Sequence, residues 1–225
     1  MKDKDRAEKG NSEVRQRILD AAANLLAENG YDRTSVRDIT KLACCNVASV
    51  NYYFGGKDNL YLEVCRQRLT LLRQVRIEGI NSVMNRSDRK VTIEELIRGF
   101  AEAFFKPLTD KNTGKTLMQL MWREMVEPHL PERMFLEEVV NPITRTFTGA
   151  MKKVCPKLSD NEILLSIESI IAQLIHVIML QKFQTAHRPS DMPIPEISSY
   201  IDHIVEFSAA GIRNFSEKGA GNVTK

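Results

Sequence analysis

The most specific chemistry in this chain sits on one short helical stretch. In NVASVNYYF, Val47, Val50 and Phe54 recur at i, i+3 and i+7 and share one helical face. Ala48, Ser49, Asn51 and Tyr52 then face the other way. Two of these are small, which lets the backbone approach another surface closely. Asn51 can exchange hydrogen bonds with a base edge or a phosphate, and Tyr52 suits a phosphate oxygen. Gly55 and Gly56 allow a sharp reversal at low steric cost. Lys57 follows at the start of the next helical pattern, where its ammonium and the backbone N–H groups both favour a phosphate. This is the chemistry expected of a short exposed helix entering the major groove of DNA.

The preceding residues can position that surface. Val36, Ile39 and Ala43 share a helical face, and Thr34 is expected to cap the helix that carries them. Asn46 stands where a side-chain oxygen caps the next helix start. From Ser12 to Glu28, Val14, Ile18, Ala21, Ala22 and Leu25 form an apolar stripe with charges opposite. Gly30 stands just past the end of this helix, as a left-handed terminating residue does, and Tyr31 is expected to pack beneath the bundle. Residues 12–54 thus read as three helices, the last two forming a helix-turn-helix.

ILDAAANLLAENGYDRTSVRDITKLA followed by VNYYFGGKDNLY resembles the N-terminal domain of the TetR family of transcriptional regulators, over about residues 14–62. NVASVNYYFGGKDNLY looks closest to the CecR-like branch, and REMVEPHLPERMFLEEVVNPI is similar to that branch's C-terminal domain. The resemblance implies a homodimer, each subunit joining this domain to a helical domain that binds a small inducer. Carried over by position, the implied DNA contacts are Thr34, Ser35, Arg37, Ala48, Ser49, Asn51, Tyr52 and Lys57. The branch's association with drug efflux implies a hydrophobic or drug-like effector. One position departs from the pattern: Cys44 stands in the turn where many members have glycine, so the turn has to accommodate a side chain.

Composition sets the bounds. The chain has 225 residues, 43% hydrophobic and 27% charged, and a net charge of +3, values of an ordinary globular protein. The charge is unevenly spread. Residues 1–90 hold 17 Lys and Arg against 12 Asp and Glu, and the rest hold 15 against 17. The excess lies in the half with the helix-turn-helix, as contact with phosphate requires. The N-terminus, MKDKDRAEKGNSE, lacks the apolar segment of a signal peptide, which points to the cytoplasm, and its alternating charges argue against a basic arm. Residues 1–11 are expected to be disordered. Ile163 to Leu180 is long enough to cross a membrane, but it carries Glu168, Gln173, His176 and two serines, which fits a helix buried on both sides. Cys44, Cys45, Cys65 and Cys155 lack metal-ligand spacing and are expected to be reduced thiols. Oxidation sensing by Cys44 and Cys45 is the less favoured reading of that pair.

The rest of the chain reads as helices: a connecting helix from Lys57 to about Met84 whose arginines form a solvated face, then Thr92 to Pro107, Lys115 to Val126, Glu132 to Val154 bent at Pro142, Ser159 to Thr185 and Pro195 to Phe215. The last two have apolar faces wide enough to meet a second copy in a four-helix bundle, and a two-fold dimer would set two reading helices about 34 Å apart on DNA. Phe100, Phe104, Met118, Met121, Trp122, Met125, His176 and Met179 are the candidate lining of an effector cavity, with Trp122 and His176 as its polar handles, although such stripes also serve as core. No phosphate loop, nucleophile elbow, zincin or dinucleotide motif occurs, and no cofactor or enzyme activity is expected.

The expectation is an all-α fold: disordered residues 1–11, a helix-turn-helix domain at 12–57, a connecting helix and loop at 58–90, a ligand-binding and dimerisation domain at 91–215, and a frayed tail at 216–225. The expected function is a ligand-responsive regulator, most simply a repressor, that binds a near-palindromic double-stranded operator as a homodimer and does not act at a membrane. The alternative is a helical ligand carrier or interaction module without specific DNA binding.

Overall fold

The computed structural model describes residues 2–86, 89–109, 114–187 and 195–221. Among these the chain is helical, with no strand: α1 (Lys2–Asn29), α2 (Val36–Leu42), α3 (Ala48–Phe54), α4 (Lys57–Met84), α5 (Ile93–Thr109), α6 (Gly114–Val126), α7 (Asn141–Val154), α8 (Asp160–His187) and α9 (Ile197–Gly221). α1 begins at Lys2, inside the stretch expected to be disordered, because the residues before Ser12 include good helix formers and no proline. α9 likewise runs beyond Phe215 to Gly221. Of the loop expected at 110–114, Gly114 opens α6, and its other residues, most of the proline-rich connection expected at 187–195, and residues 222–225 lie outside the described residues.

Two units divide the chain. One comprises Met1–Leu71 and Pro107–Leu136, the other Leu72–Lys106 and Glu137–Lys225. This differs from the expected boundaries in two respects: α4 is divided between the units at Leu71–Leu72, and residues 107–136, with α6, expected in the ligand-binding domain, fall with the helix-turn-helix. The reason for the second is a set of long-range contacts. Leu120 is buried in the core formed by Ile18, Ala22, Leu26, Ile39, Val50, Leu60 and Val64. Arg123 Nε donates to the Ala27 carbonyl oxygen at 2.9 Å, and its Nη2 donates to that of Glu28. These carbonyls end α1 and have no partner within the helix, so the guanidinium caps it.

In the second unit Phe100, Phe104, Phe147, Ile163, Ile167, Ile170 and Leu174 are buried. α4 and α5 cross at two glycines: a Cβ on Gly79 would stand 2.7 Å from the Gly99 carbonyl oxygen. The bend expected at Pro142 is a five-residue π-helical turn, Leu136–Val140, just before the proline. Pro142 has no N–H to give the Glu138 carbonyl, and widening the helix accommodates the loss. Arg73 Nη1 donates to that carbonyl oxygen at 3.2 Å. One helical stretch, Asp160–Gln181, is long and apolar enough to cross a membrane, with a mean hydropathy of 2.1.

Candidate nucleic-acid interface

The helix-turn-helix is held by two caps. Ser35, and not Thr34, caps α2: its Oγ accepts the Asp38 N–H at 3.2 Å and its own N–H donates to Asp38 Oδ2 at 3.3 Å. The Ser35 hydroxyl also donates to Asp38 Oδ2, at 2.5 Å, and this bond, with the one from the Ser35 N–H, holds the Asp38 carboxyl below the usual carboxylate range. Thr34 is only 1% exposed, and its Oγ1 donates to the Gly30 carbonyl oxygen at 2.7 Å. It fastens the turn between α1 and α2 from inside, so its side chain is not on the outer surface where a DNA contact was expected. Asn46 behaves as expected, its Oδ1 accepting the Ala48 N–H at 2.9 Å.

Between α2 and α3 the chain turns through Cys44, whose φ is +51°. Cys44 N–H donates to the Lys41 carbonyl and Cys45 N–H to the Thr40 carbonyl. These are the two bonds of a Schellman ending, with Cys44 at the position that glycine usually fills. A β-carbon in this left-handed conformation costs about 1–2 kcal/mol. Cys44→Gly is therefore expected to stabilise the protein by about 1 kcal/mol, read as a higher urea midpoint; an unchanged or lower midpoint would show that the turn stores no strain. Cys44 is exposed and Cys45 half-buried, whereas burial pushes the Cys65 thiol up to about 12.

On α3, Val50 and Phe54 are buried beneath, while Ala48, Asn51 and Tyr52 are exposed and Ser49 is half-exposed. Tyr52 is 75% exposed. Val47 was expected in the core but is 47% exposed, because the helix begins at Ala48 and leaves Val47 at its mouth. Ser35 and Arg37 are exposed at the start of α2. α3 ends at Gly55, where φ is +74° and the N–H donates to the Asn51 carbonyl oxygen at 2.9 Å. Lys57 opens α4, and its Nζ lies 4.0 Å from the centre of the Tyr31 ring. The Tyr31 hydroxyl donates to Asp58, and that bond, with burial, raises its pKa to about 12. Tyr31 thus carries Lys57 on its face and anchors the first turn of α4 by its hydroxyl. The sequence carries no signal for this role, because the partners are more than 25 residues away, beyond any periodic pattern.

The candidate effector residues divide between the units. Met118, Met121 and Trp122 are half-buried on α6, in the unit of the helix-turn-helix. The side chain of Met125 lies outside the described residues. Phe100 and Phe104 are buried in the other unit, where Met179 is half-buried. His176 is exposed on α8, off the buried face formed by Ile163, Ile167, Ile170, Leu174 and Val177, so within one chain it is not the polar handle of an apolar cleft.

Two family models match. One, described as bacterial regulatory proteins of the tetR family, covers residues 18–64, and one described as a tetracyclin repressor-like C-terminal domain covers residues 98–211. The probable HTH-type transcriptional regulator YttP of Bacillus subtilis is 24% identical over 112 residues, 50% of each chain. The HTH-type transcriptional dual regulator CecR of Shigella flexneri is 27% identical over 136 residues, 58% of this chain and 60% of the relative. The matches thus span half to three fifths of those relatives' length. The crystal structure of the transcriptional regulator FadR from Bacillus subtilis in complex with stearoyl-CoA superposes with a TM-score of 0.63 at 16% identity, over 87% of this chain and 98% of that one.

Proposed function

Because this chain belongs to the TetR family of bacterial regulatory proteins, we propose that it is a ligand-responsive repressor that binds a near-palindromic operator as a homodimer. Members of the family are DNA-binding transcriptional regulators that bind small molecules as dimers. The single observation that carries the reading is the outer face of α3. Ala48, Asn51 and Tyr52 stand exposed over buried Val50 and Phe54, and Lys57 opens the next helix. The proposed contacts are Ser35 and Arg37 from α2, Ala48, Ser49, Asn51 and Tyr52 from α3, and Lys57. The protein acts in the cytoplasm, where its DNA is.

A second copy is proposed to cover α8 and α9. Leu165 and Ile175 on α8 and Phe207 on α9 are large apolar residues left exposed in one chain, Phe207 by 66%. A two-fold four-helix bundle would bury them. Induction is proposed as a population shift. The effector prefers a state in which the reading helices no longer fit successive major grooves. The chain passes between the units within α4, within α5, and again at Leu136–Glu137, and these are the covalent routes for such a shift.

The test is selection of bound sequences from random duplexes by the full chain, followed by operator titration at several salt concentrations. A palindromic consensus is expected. Lys57→Ala should weaken binding to all sequences and lower the slope of log affinity against log salt by about one. Asn51→Ala should relax preference at one base position, a discrimination of about 1–3 kcal/mol. Enrichment of no sequence would favour a ligand carrier or interaction module over a regulator.

A further inference from the structure

We propose that the C-terminal unit contains an anion-binding position built on Arg76, and that the effector of this protein is an apolar molecule bearing a carboxylate or similar acidic group. The inference rests on the reading above, that this unit receives an effector, and adds the effector's charge.

On α4, Leu72, Arg76, Ile80 and Val83 recur at i, i+4, i+8 and i+11 and so share a face. Leu72, Ile80 and Val83 are buried. An arginine interrupts an otherwise apolar stripe, and the sequence-based expectation of a solvated face for it does not hold. Its Nε is fully enclosed and meets no acceptor among the described residues. What the guanidinium meets is a ring: its central carbon lies 3.8 Å from the centre of Phe104. Phe104 in turn stands 6.0 Å from Phe100, and Phe100 stands 4.7 Å from Phe147, centre to centre.

Other arginines of this unit have oxygen partners. Arg73 donates to the Glu138 carbonyl oxygen, Arg98 lies 2.7 Å from Asp202 Oδ1, and Arg89 and Arg213 pair with Glu95 and Glu94. Among the described residues Arg76 has none. Arg76 as a whole is half-buried, and an aromatic face returns only part of the hydration that its covered atoms give up. Deprotonation offers no escape: burial draws the Arg76 pKa down only to about 10, so the charge persists at neutral pH. A guanidinium presents its donors in a planar fork that matches a carboxylate or a phosphate in a bidentate pair. The Phe104 ring beneath it, continued by Phe100 and Phe147, favours an apolar body attached to that group. An acid on a hydrocarbon or aromatic frame satisfies both demands, and a cationic or purely neutral ligand satisfies only the second.

The experiment uses the full chain with its selected operator, and wild type, Arg76→Met and Arg76→Lys, each checked for fold by circular dichroism. The probes share apolar bodies and differ in head group: decanoate, decanol and decyltrimethylammonium below their micellar concentrations, and 2-naphthoate against 2-naphthamide. The readouts are thermal midpoint and operator affinity. The expected result is that at least one carboxylate raises the wild-type midpoint and shifts operator affinity, and that its neutral and cationic counterparts do neither. Arg76→Met should bind that carboxylate about tenfold to a hundredfold more weakly, with Arg76→Lys intermediate. Equal carboxylate binding by wild type and Arg76→Met, or equal action of a neutral or cationic probe, would overturn the anion position and leave ligand control standing. Intact operator binding that responds to no probe would reject both. Absence of operator binding without any probe would count against the DNA reading alone.

Discussion

Glu124→Ala should cost the protein about 4 kcal/mol, the largest single-residue loss expected here. The Glu124 carboxylate gathers three donors. Oε1 accepts the Tyr61 hydroxyl, and Oε2 accepts the His129 N–H at 3.1 Å and the Leu130 N–H at 2.9 Å. Tyr61 is buried and the other two donors are partly so. Removing the carboxylate leaves all three without an acceptor, and each orphaned buried donor costs about 1–3 kcal/mol. Tyr61 remains a donor at any ordinary pH, because burial, then Cys65 and Glu124, push its phenol above the usual tyrosine range. Glu124→Gln keeps one oxygen and should lose about half as much. Urea unfolding of Glu124→Ala, Tyr61→Phe and the double variant gives the coupling directly; a value near zero would mean that the Tyr61 bond contributes nothing to the fold. Because these residues share a unit with the helix-turn-helix, operator affinity should fall with stability in this series.

Gly79→Ala is expected to destabilise by about 3 kcal/mol, against the usual gain from placing alanine in a helix. An added Cβ would lie 2.3 Å from the Ala103 Cβ and 2.7 Å from the Gly99 carbonyl oxygen. The second of these is backbone, so relief requires α4 and α5 to part. Gly99 faces the same constraint, with Val83 Cγ2 at 2.4 Å. Gly149, inside α7, has no atom within 4 Å of the corresponding position, and Gly149→Ala should stabilise by about 0.5–1 kcal/mol. Opposite signs for two glycine-to-alanine changes, in thermal midpoints at fixed protein concentration, would establish a sterically closed crossing. A neutral Gly79→Ala would show that the two helices can separate without loss.

Local features carried a large part of this fold. The apolar stripe of α1, the spacing of Val50 and Phe54, the Asn46 cap, the αL glycine after α3 and the Thr92–Glu95 and Ser159–Glu162 capping boxes are each written within a few residues, because capping and amphipathicity act over one or two helical turns. The family could be read from the same short segment. Errors by one position arose where two adjacent residues compete for a local role: Ser35 took the cap and freed Thr34 to face inward, and Val47 stopped one residue short of the helix.

What the amino-acid order determined alone is a set of helices, their inward faces and a turn that presents Asn51 and Tyr52 outward. Tertiary structure decided the rest. It joined α6 to the DNA-binding helices through Arg123, some 95 residues from the carbonyls that it caps. It seated Lys57 on Tyr31, supplied Arg73 to the carbonyl that Pro142 abandons, and laid Arg76 over Phe104. Periodicity reports which side of a helix is covered, since burial follows the helical repeat. It does not report what covers it, because a charge and its partner separated by dozens of residues leave no shared pattern until the chain has folded.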